Sequence, residues 1–410
     1  MGSISGKRVL IVFFMIAFFM RVWAVAEEKH FVGDENLFVP AAADYFEGGS
    51  NRKNNDWLHP PFTYFLTQGS VKVFGNNPYG WRMANVVLGS LSIVVLFLLA
   101  YEIFGDQRVA LLAALFMAIE PIHVLLSRTN FMELSPVFFF ILSLYLVLRQ
   151  LKGRNSSLIP AGICLGLSLA SKWYYVSALG VLVFFVLVFR YRENKLTGLT
   201  VLSVLSTVVL LPLTIYLLTY YPLFKRGLTL SDLFEMHLDA YIVLQHMKVE
   251  YFASDFLRDS MIPPWKWFLG PFVWARQIGQ EGIYGRFLVL MNNPPVSICT
   301  VPAVLYSAVW SFRKKNVFVL LAIILFCTVY FQLIYAKRPI FFYSAVAVLP
   351  FAYLFLAHFF VSLLDKITSR SCAYRTLFTT LLIWGLYLYP FVIRKYVLVS
   401  LYAPLIWLSR

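Results

Sequence analysis

Charge is scarce in this chain. Of its 410 residues only 13% are Asp, Glu, Lys or Arg, while 60% are hydrophobic and the mean hydropathy is +0.73. A water-soluble domain with that balance would expose large apolar patches, so the composition excludes a soluble globular enzyme and places the chain in a bilayer. Cysteine is rare. Cys164, Cys299 and Cys327 fall inside apolar runs and Cys372 in a basic break, which argues against a disulfide framework. No long polar stretch is left for a second soluble domain, and there is no internal repeat or low-complexity tract. The missing repeat also argues against the symmetric plan of many transporters.

Long apolar runs are what the chain has in abundance. Eleven are drawn, near 9–26, 81–103, 108–123, 134–149, 158–171, 173–190, 197–218, 295–312, 317–335, 340–364 and 376–393. Most approach the ~20 residues needed to cross ~30 Å of hydrocarbon, the fifth and sixth being shorter. The first follows Lys7-Arg8 as a signal peptide would, but no small-residue cleavage site follows it, so it reads as a retained helix. The net charge of +15 suggests nucleic acid until its distribution is seen. Six short breaks on alternate turns carry 15 basic residues, from Lys7 and Arg8 to Arg375, against the three acids Asp106, Glu193 and Asp365. That is the asymmetry of cytoplasmic loops, so the basic excess records topology and no nucleic acid is expected. The expected fold is all-α: one polytopic membrane domain over 1–410, with about eleven transmembrane helices. Two long outer loops, 27–80 and 219–294, carry apolar and aromatic residues at intervals and are expected to hold amphipathic interfacial helices.

The same parity brings Asp34, Glu35, His59, Arg82, Arg128, Glu133, Lys172 and Arg338 to one face of the membrane. Ionisable groups at the mouth of a membrane domain are costly to hold there and are functional candidates by default. Acids facing several cations in one layer suit a substrate that carries both a hydroxyl and a phosphate. Lys172 stands out, because it interrupts an apolar stretch of about thirty residues where an idle charge is expensive.

These residues lie in motifs that resemble one family. After the first run comes Asp34-Glu35, followed by Phe38, Ala42 and Tyr45 in DENLFVPAAADY, and then His59-Pro60-Pro61. Arg82 opens the second run, Ser127-Arg128 and Glu133 follow in SRTNFMELSP, and Ser171-Lys172-Trp173 follows a Gly-rich short run. NNPPVSI (Asn292 to Ile298) and KRPIFFYSAVAVLPF (Lys337 to Phe351) come late. In this order the motifs resemble the protein O-mannosyltransferase family and its bacterial relatives, the aminoarabinose lipid A transferases, which are lipid-linked sugar transferases of the GT-C type. Glu133 stands where the family usually has Asp, the loop 219–294 is only loosely similar, and there is no soluble sugar-binding insert, which suits a prokaryotic-type member.

The resemblance implies a glycosyltransferase that moves mannose or a related hexose from a polyprenyl-phosphate donor to an acceptor hydroxyl, with inversion, at the outer face of a prokaryotic cell membrane. It makes Asp34 the general base, whose alternative reading is a helix N-cap. Glu35 would orient the acceptor or Asp34, or else serve the dipole of a helix's first turn. Arg82, Lys172 and Arg338 would hold the donor phosphate, or else snorkel at span ends. His59, Arg128 and Glu133 would contact substrate, although Arg128 and Glu133 also suit a structural ion pair. No cofactor is expected and no metal. His237 and His246 stand nine residues apart in an amphipathic loop, an arrangement with little to recommend it as a metal site. The expected partners are the lipid-linked donor, a protein or glycolipid acceptor, and membrane lipids. The acceptor stays open between protein Ser/Thr and a glycolipid or cell-wall glycan, and the rival class is a membrane transporter or lipid flippase.

Overall fold

The computed structural model describes residues 3–48, 57–154, 157–248, 261–270, 273–281, 284–291, 293–367, 370–392 and 396–398. Every apolar run read from the sequence meets a helix. Six helices are long and apolar enough to cross a bilayer: Pro78–Phe104, Leu134–Leu151, Trp173–Arg192, Gly198–Thr219, Pro294–Lys314 and Val317–Ile334. The bent pair Gln107–Ile119 and Pro121–Ser127 brings the number to seven when it is counted as one broken span. Four further helices, Ser3–Val22, Leu158–Leu169, Leu349–Leu364 and Arg370–Val392, fall on the remaining runs, so eleven spans are not reached by length and composition alone.

Proline sets the breaks. Pro121 lacks an N–H and crowds the residue before it, so Glu120 leaves the helical region (φ −67°, ψ 120°) and the pair bends by 64°. Likewise Pro212 cannot donate to the Val208 carbonyl, and the preceding segment Leu205–Leu210 widens into a π-turn.

The helix Pro78–Phe104 is central, with 72% of its apolar stretch buried against Ser3–Val22, Phe62–Phe74, Gln107–Ile119 and Leu134–Leu151. Gly198–Thr219, at 17%, lies on the rim with Leu199 and Leu202 exposed. Leu158–Leu169 leans on that rim helix through Gly162 and Gly166, where an added Cβ would meet the Thr207 carbonyl or the Ile215 side chain. This close approach fixes the end of the short helix, and Ser171-Lys172-Trp173 follows from it.

The first outer loop holds two short helices, Glu35–Glu47 and Phe62–Phe74, and the second holds the amphipathic helix Leu230–His246. Beyond it the expected helices give way to an antiparallel hairpin, Val273–Glu281 with Tyr284–Met291, joined by Tyr396–Leu398 as a third strand.

Candidate active site

Three motifs distant in sequence are hydrogen-bonded into one unit. Phe62 N–H, just after His59-Pro60-Pro61, donates to the Ala170 carbonyl at 2.9 Å. Past the Ser-Lys-Trp junction, Tyr174 Oη donates to Ser344 Oγ at 3.0 Å and Tyr175 Oη to the Ala347 carbonyl at 2.8 Å. Lys172 itself is extended (φ −164°, ψ 147°) and separates two helices, so its side chain turns into the protein instead of along a helix surface.

Two adjoining cavities meet at this unit. The larger, about 580 Å³, runs between the helices Val176–Arg192 and Val317–Ile334, and its walls include Val176, Leu333 and Ala336. The smaller, about 180 Å³, is lined by Asp34, Phe38, Phe341, Tyr343 and Ser344. His59, Lys172 and Arg338 line both, so the seam between the two cavities carries two cations and an imidazole.

Asp34 occupies the first position before the helix Glu35–Glu47, but its side chain makes no capping hydrogen bond. It faces the small chamber and accepts from Tyr343 Oη at 3.1 Å. Burial pushes its carboxyl up to about 6, the Glu133 charge adds to this, and Lys172, the Tyr343 hydroxyl and His59 pull it back. A carboxyl poised there is ionised at neutral pH yet more basic than an exposed Asp, as a general base requires.

Lys172 is buried and ion-paired with Glu133, and its Nζ lies 5.1 Å from the Tyr174 ring centroid. Burial acts to lower its pKa, but Glu133 outweighs it and the amine is held above its ordinary value. Lys172 thus already has a carboxylate partner before any phosphate arrives. Glu133 does not pair with Arg128, and its Oε2 has no hydrogen-bond partner among the described residues. Arg338 differs from Lys172. Among the described residues it makes no ion pair or hydrogen bond, and it lines both cavities.

Three expected site residues are placed elsewhere. Glu35 is fully buried and holds Arg82 in a two-pronged ion pair at 2.8 and 2.7 Å, while accepting from Asn130 N–H at 2.8 Å and Val32 N–H at 2.9 Å. The remaining donors of Arg82 reach the carbonyls of Val25, Glu28 and His30 at 2.7, 2.9 and 2.9 Å. A guanidinium has five N–H groups, and all five are engaged, so Arg82 has none to offer a donor phosphate. Arg128 reaches the carbonyls of Met20, Arg21 and Trp23 at the end of Ser3–Val22, where helix carbonyls lack partners. Neither arginine, nor Glu35, lines either cavity. They build the turn after the first helix and thereby hold Asp34.

Tyr343 is the contact to Asp34 that sequence reasoning did not assign. Its signal was available in the spacing Arg338-x-x-Phe341-x-Tyr343. Among the described residues no group of three or more His, Cys, Asp or Glu converges in a way that could hold a metal ion.

Comparison with known proteins gives a consistent picture. A family described as dolichyl-phosphate-mannose-protein mannosyltransferase matches residues 11–226, more than half of the chain. A polyprenol-phosphate-mannose–protein mannosyltransferase from Corynebacterium glutamicum is 25% identical over 399 residues, covering 81% of this chain and 76% of the relative. An undecaprenyl phosphate-aminoarabinose arabinosyl transferase from Pseudomonas aeruginosa is 26% identical over 197 residues, covering 43% of this chain and 34% of that one. In fold, the chain is similar to ArnT from Cupriavidus metallidurans bound to undecaprenyl phosphate, with a TM-score of 0.57 at 16% identity, covering 100% of this chain and 70% of that one. The apo form of ArnT gives 0.55 at 17% identity, and there the two chains are covered to 90% and 62%.

Proposed function

For a chain that belongs to the dolichyl-phosphate-mannose-protein mannosyltransferase family, an integral multi-pass membrane glycosyltransferase of the GT-C type using a polyprenyl-phosphate sugar, we propose that the two cavities receive the two halves of one donor. The polyprenyl chain lies in the larger, apolar groove. Its phosphate sits at the seam against Arg338 and Lys172, and the sugar enters the small chamber before Asp34.

The observation that carries this reading is the seam itself. Two cations stand where the larger, mainly apolar groove meets a smaller chamber that holds a carboxyl of raised pKa. In the transfer, Asp34 takes the proton of the acceptor hydroxyl as its oxygen attacks the anomeric carbon. The bond from that carbon to the phosphate oxygen breaks, and the phosphate leaves with the electron pair. Arg338 and Lys172 neutralise the charge as it develops. The leaving group is already a stable anion, so the chemistry needs no strong general acid, and attack opposite to it inverts the anomeric centre.

The transferred sugar is mannose or a related hexose, following the family, and the active site faces outward from a prokaryotic cell membrane. The acceptor is a protein hydroxyl, with a glycolipid or cell-wall glycan as the second reading. Asp34→Asn keeps the shape and removes the base. Turnover should fall by roughly 10²–10⁴-fold with unchanged binding of undecaprenyl phosphate. Turnover equal to wild type would leave Asp34 with no role beyond starting its helix.

A further inference from the structure

We infer that His237 is a positioning residue for the lipid donor, latching the helix Leu230–His246 across the larger cavity and onto the Lys172 junction. This rests on the donor reading of that cavity. The helix starts at a capping box between Thr229 and Asp232 and buries Leu233, Met236 and Ala240, all within its first eleven residues. Its later part carries Tyr241, Leu244 and Gln245 over the cavity, beyond the last of those buried residues. Apolar packing thus holds the helix as far as Ala240, and within that packed part a polar tie to the cavity wall fixes the root of the overhang.

The hydrogen bonds at His237 supply it, and their directions can be worked out. Nδ1 faces the Leu233 carbonyl at 2.7 Å, an acceptor only, so Nδ1 carries the proton. In the neutral ring Nε2 is then an acceptor, and it takes the Tyr216 hydroxyl at 2.5 Å. Tyr216 Oη in turn receives the Trp173 indole N–H at 3.1 Å, and Tyr220 Oη lies 3.2 Å from it and 3.4 Å from His237 Nε2. The chain runs Trp173 to Tyr216 to His237 to Leu233 with one proton per link. Its far end is the residue next to Lys172. Trp173 also lines the larger cavity and accepts from Gln332 through its carbonyl at 3.0 Å. The latch therefore joins the cover of the groove to the wall that holds the cation.

A histidine conserved in shape but not in hydrogen bonding separates this from plain packing. His237→Leu removes the acceptor, while His237→Gln places an amide oxygen near the position of Nε2. Tyr216→Phe cuts the link to Trp173 from the other side, leaving only the longer Tyr220 contact to Nε2, and guards against a folding artefact of the leucine variant. The probe is undecaprenyl phosphate in detergent, with binding measured for each variant. His237→Leu and Tyr216→Phe should weaken binding about tenfold, the size of one lost hydrogen bond, and His237→Gln should stay within about threefold of wild type. In the lipid-free protein, hydrogen exchange over residues 238–248 should rise in His237→Leu. Unchanged exchange, or equal affinity in all variants, overturns the latch. Wild-type protein that fails to bind undecaprenyl phosphate overturns the donor reading of the cavity, whatever exchange shows.

Discussion

Arg338→Gln is the perturbation that isolates the phosphate site. Lys172 is a poor place to test it, because replacing the lysine strands Glu133 as a buried unpaired carboxylate, and a folding defect follows whatever the role of the lysine. Arg338 carries no such complication. It is partly buried, makes no ion pair or hydrogen bond among the described residues, and raises the local positive charge beside Lys172. Its removal leaves no carboxylate without a partner and relieves a like-charge contact, so the melting temperature should stay near that of wild type. If Arg338 grips the phosphate, a charge-assisted contact is lost, worth about 1.5–3 kcal/mol. That corresponds to a Kd for the carrier lipid roughly 10- to 150-fold weaker. Turnover at saturating donor should fall as well, since the cation also stabilises the leaving phosphate. Binding of undecaprenyl phosphate and thermal unfolding in the same detergent give the two readouts. An unchanged Kd with a lowered melting temperature would refute the reasoning and make Arg338 a structural residue.

The pH dependence follows from Asp34. Its carboxyl must be ionised to act as a base, so kcat/KM should rise with pH through a midpoint near 6 and lie flat above about 7. A profile that falls over that range would require the protonated form and contradict the assignment. Arg82→Gln leaves Glu35 buried without its partner, and breaking such a pair costs about 3–5 kcal/mol. Little folded protein should be recovered, and adding Glu35→Gln should restore part of it. A stable Arg82→Gln protein that no longer binds carrier lipid would return Arg82 to the phosphate site. Topology is tested with single cysteines at Gly69 and Lys314 in a background freed of the native four. An impermeant thiol reagent applied to intact cells should label only position 69, and labelling of 314 would reverse the orientation.

How much of this was legible in the sequence depended on the kind of signal. The helices of the membrane domain were, because long apolar runs broken by basic turns have few alternative readings, although six or seven of the eleven drawn are long and apolar enough to cross. The assembly of Asp34, His59, Lys172 and Arg338 was legible too, since topology alone brings their segments to one face. The roles of Arg82 and Arg128 were not. In sequence, a cation at a span end looks the same whether it meets a phosphate or a set of free carbonyls. Here the chain turns sharply after Ser3–Val22, and these two guanidiniums donate to six carbonyls between residues 20 and 30. The partner of Lys172 was hidden for a related reason. Glu133 lies 39 residues away, with Arg128 nearer in the chain, and which cation it meets is decided by the packing of Leu134–Leu151 against Leu158–Leu169. The hairpin at 273–291 had no such signal, because its β-branched and aromatic content is that of the chain as a whole and its place in an outer loop favoured the helical reading.

The central claim is that this chain transfers a sugar from a polyprenyl phosphate to a hydroxyl, using Asp34. Purified protein offered a panel of polyprenyl-phosphate sugars, together with peptide and glycolipid acceptors, puts that claim to mass spectrometry of the products. The account predicts one acceptor gaining the mass of a single hexose with the wild type, and a yield at least a hundredfold lower with Asp34→Asn. No glycosylated product from any combination, alongside movement of the lipid-linked sugar across vesicle membranes, would contradict it.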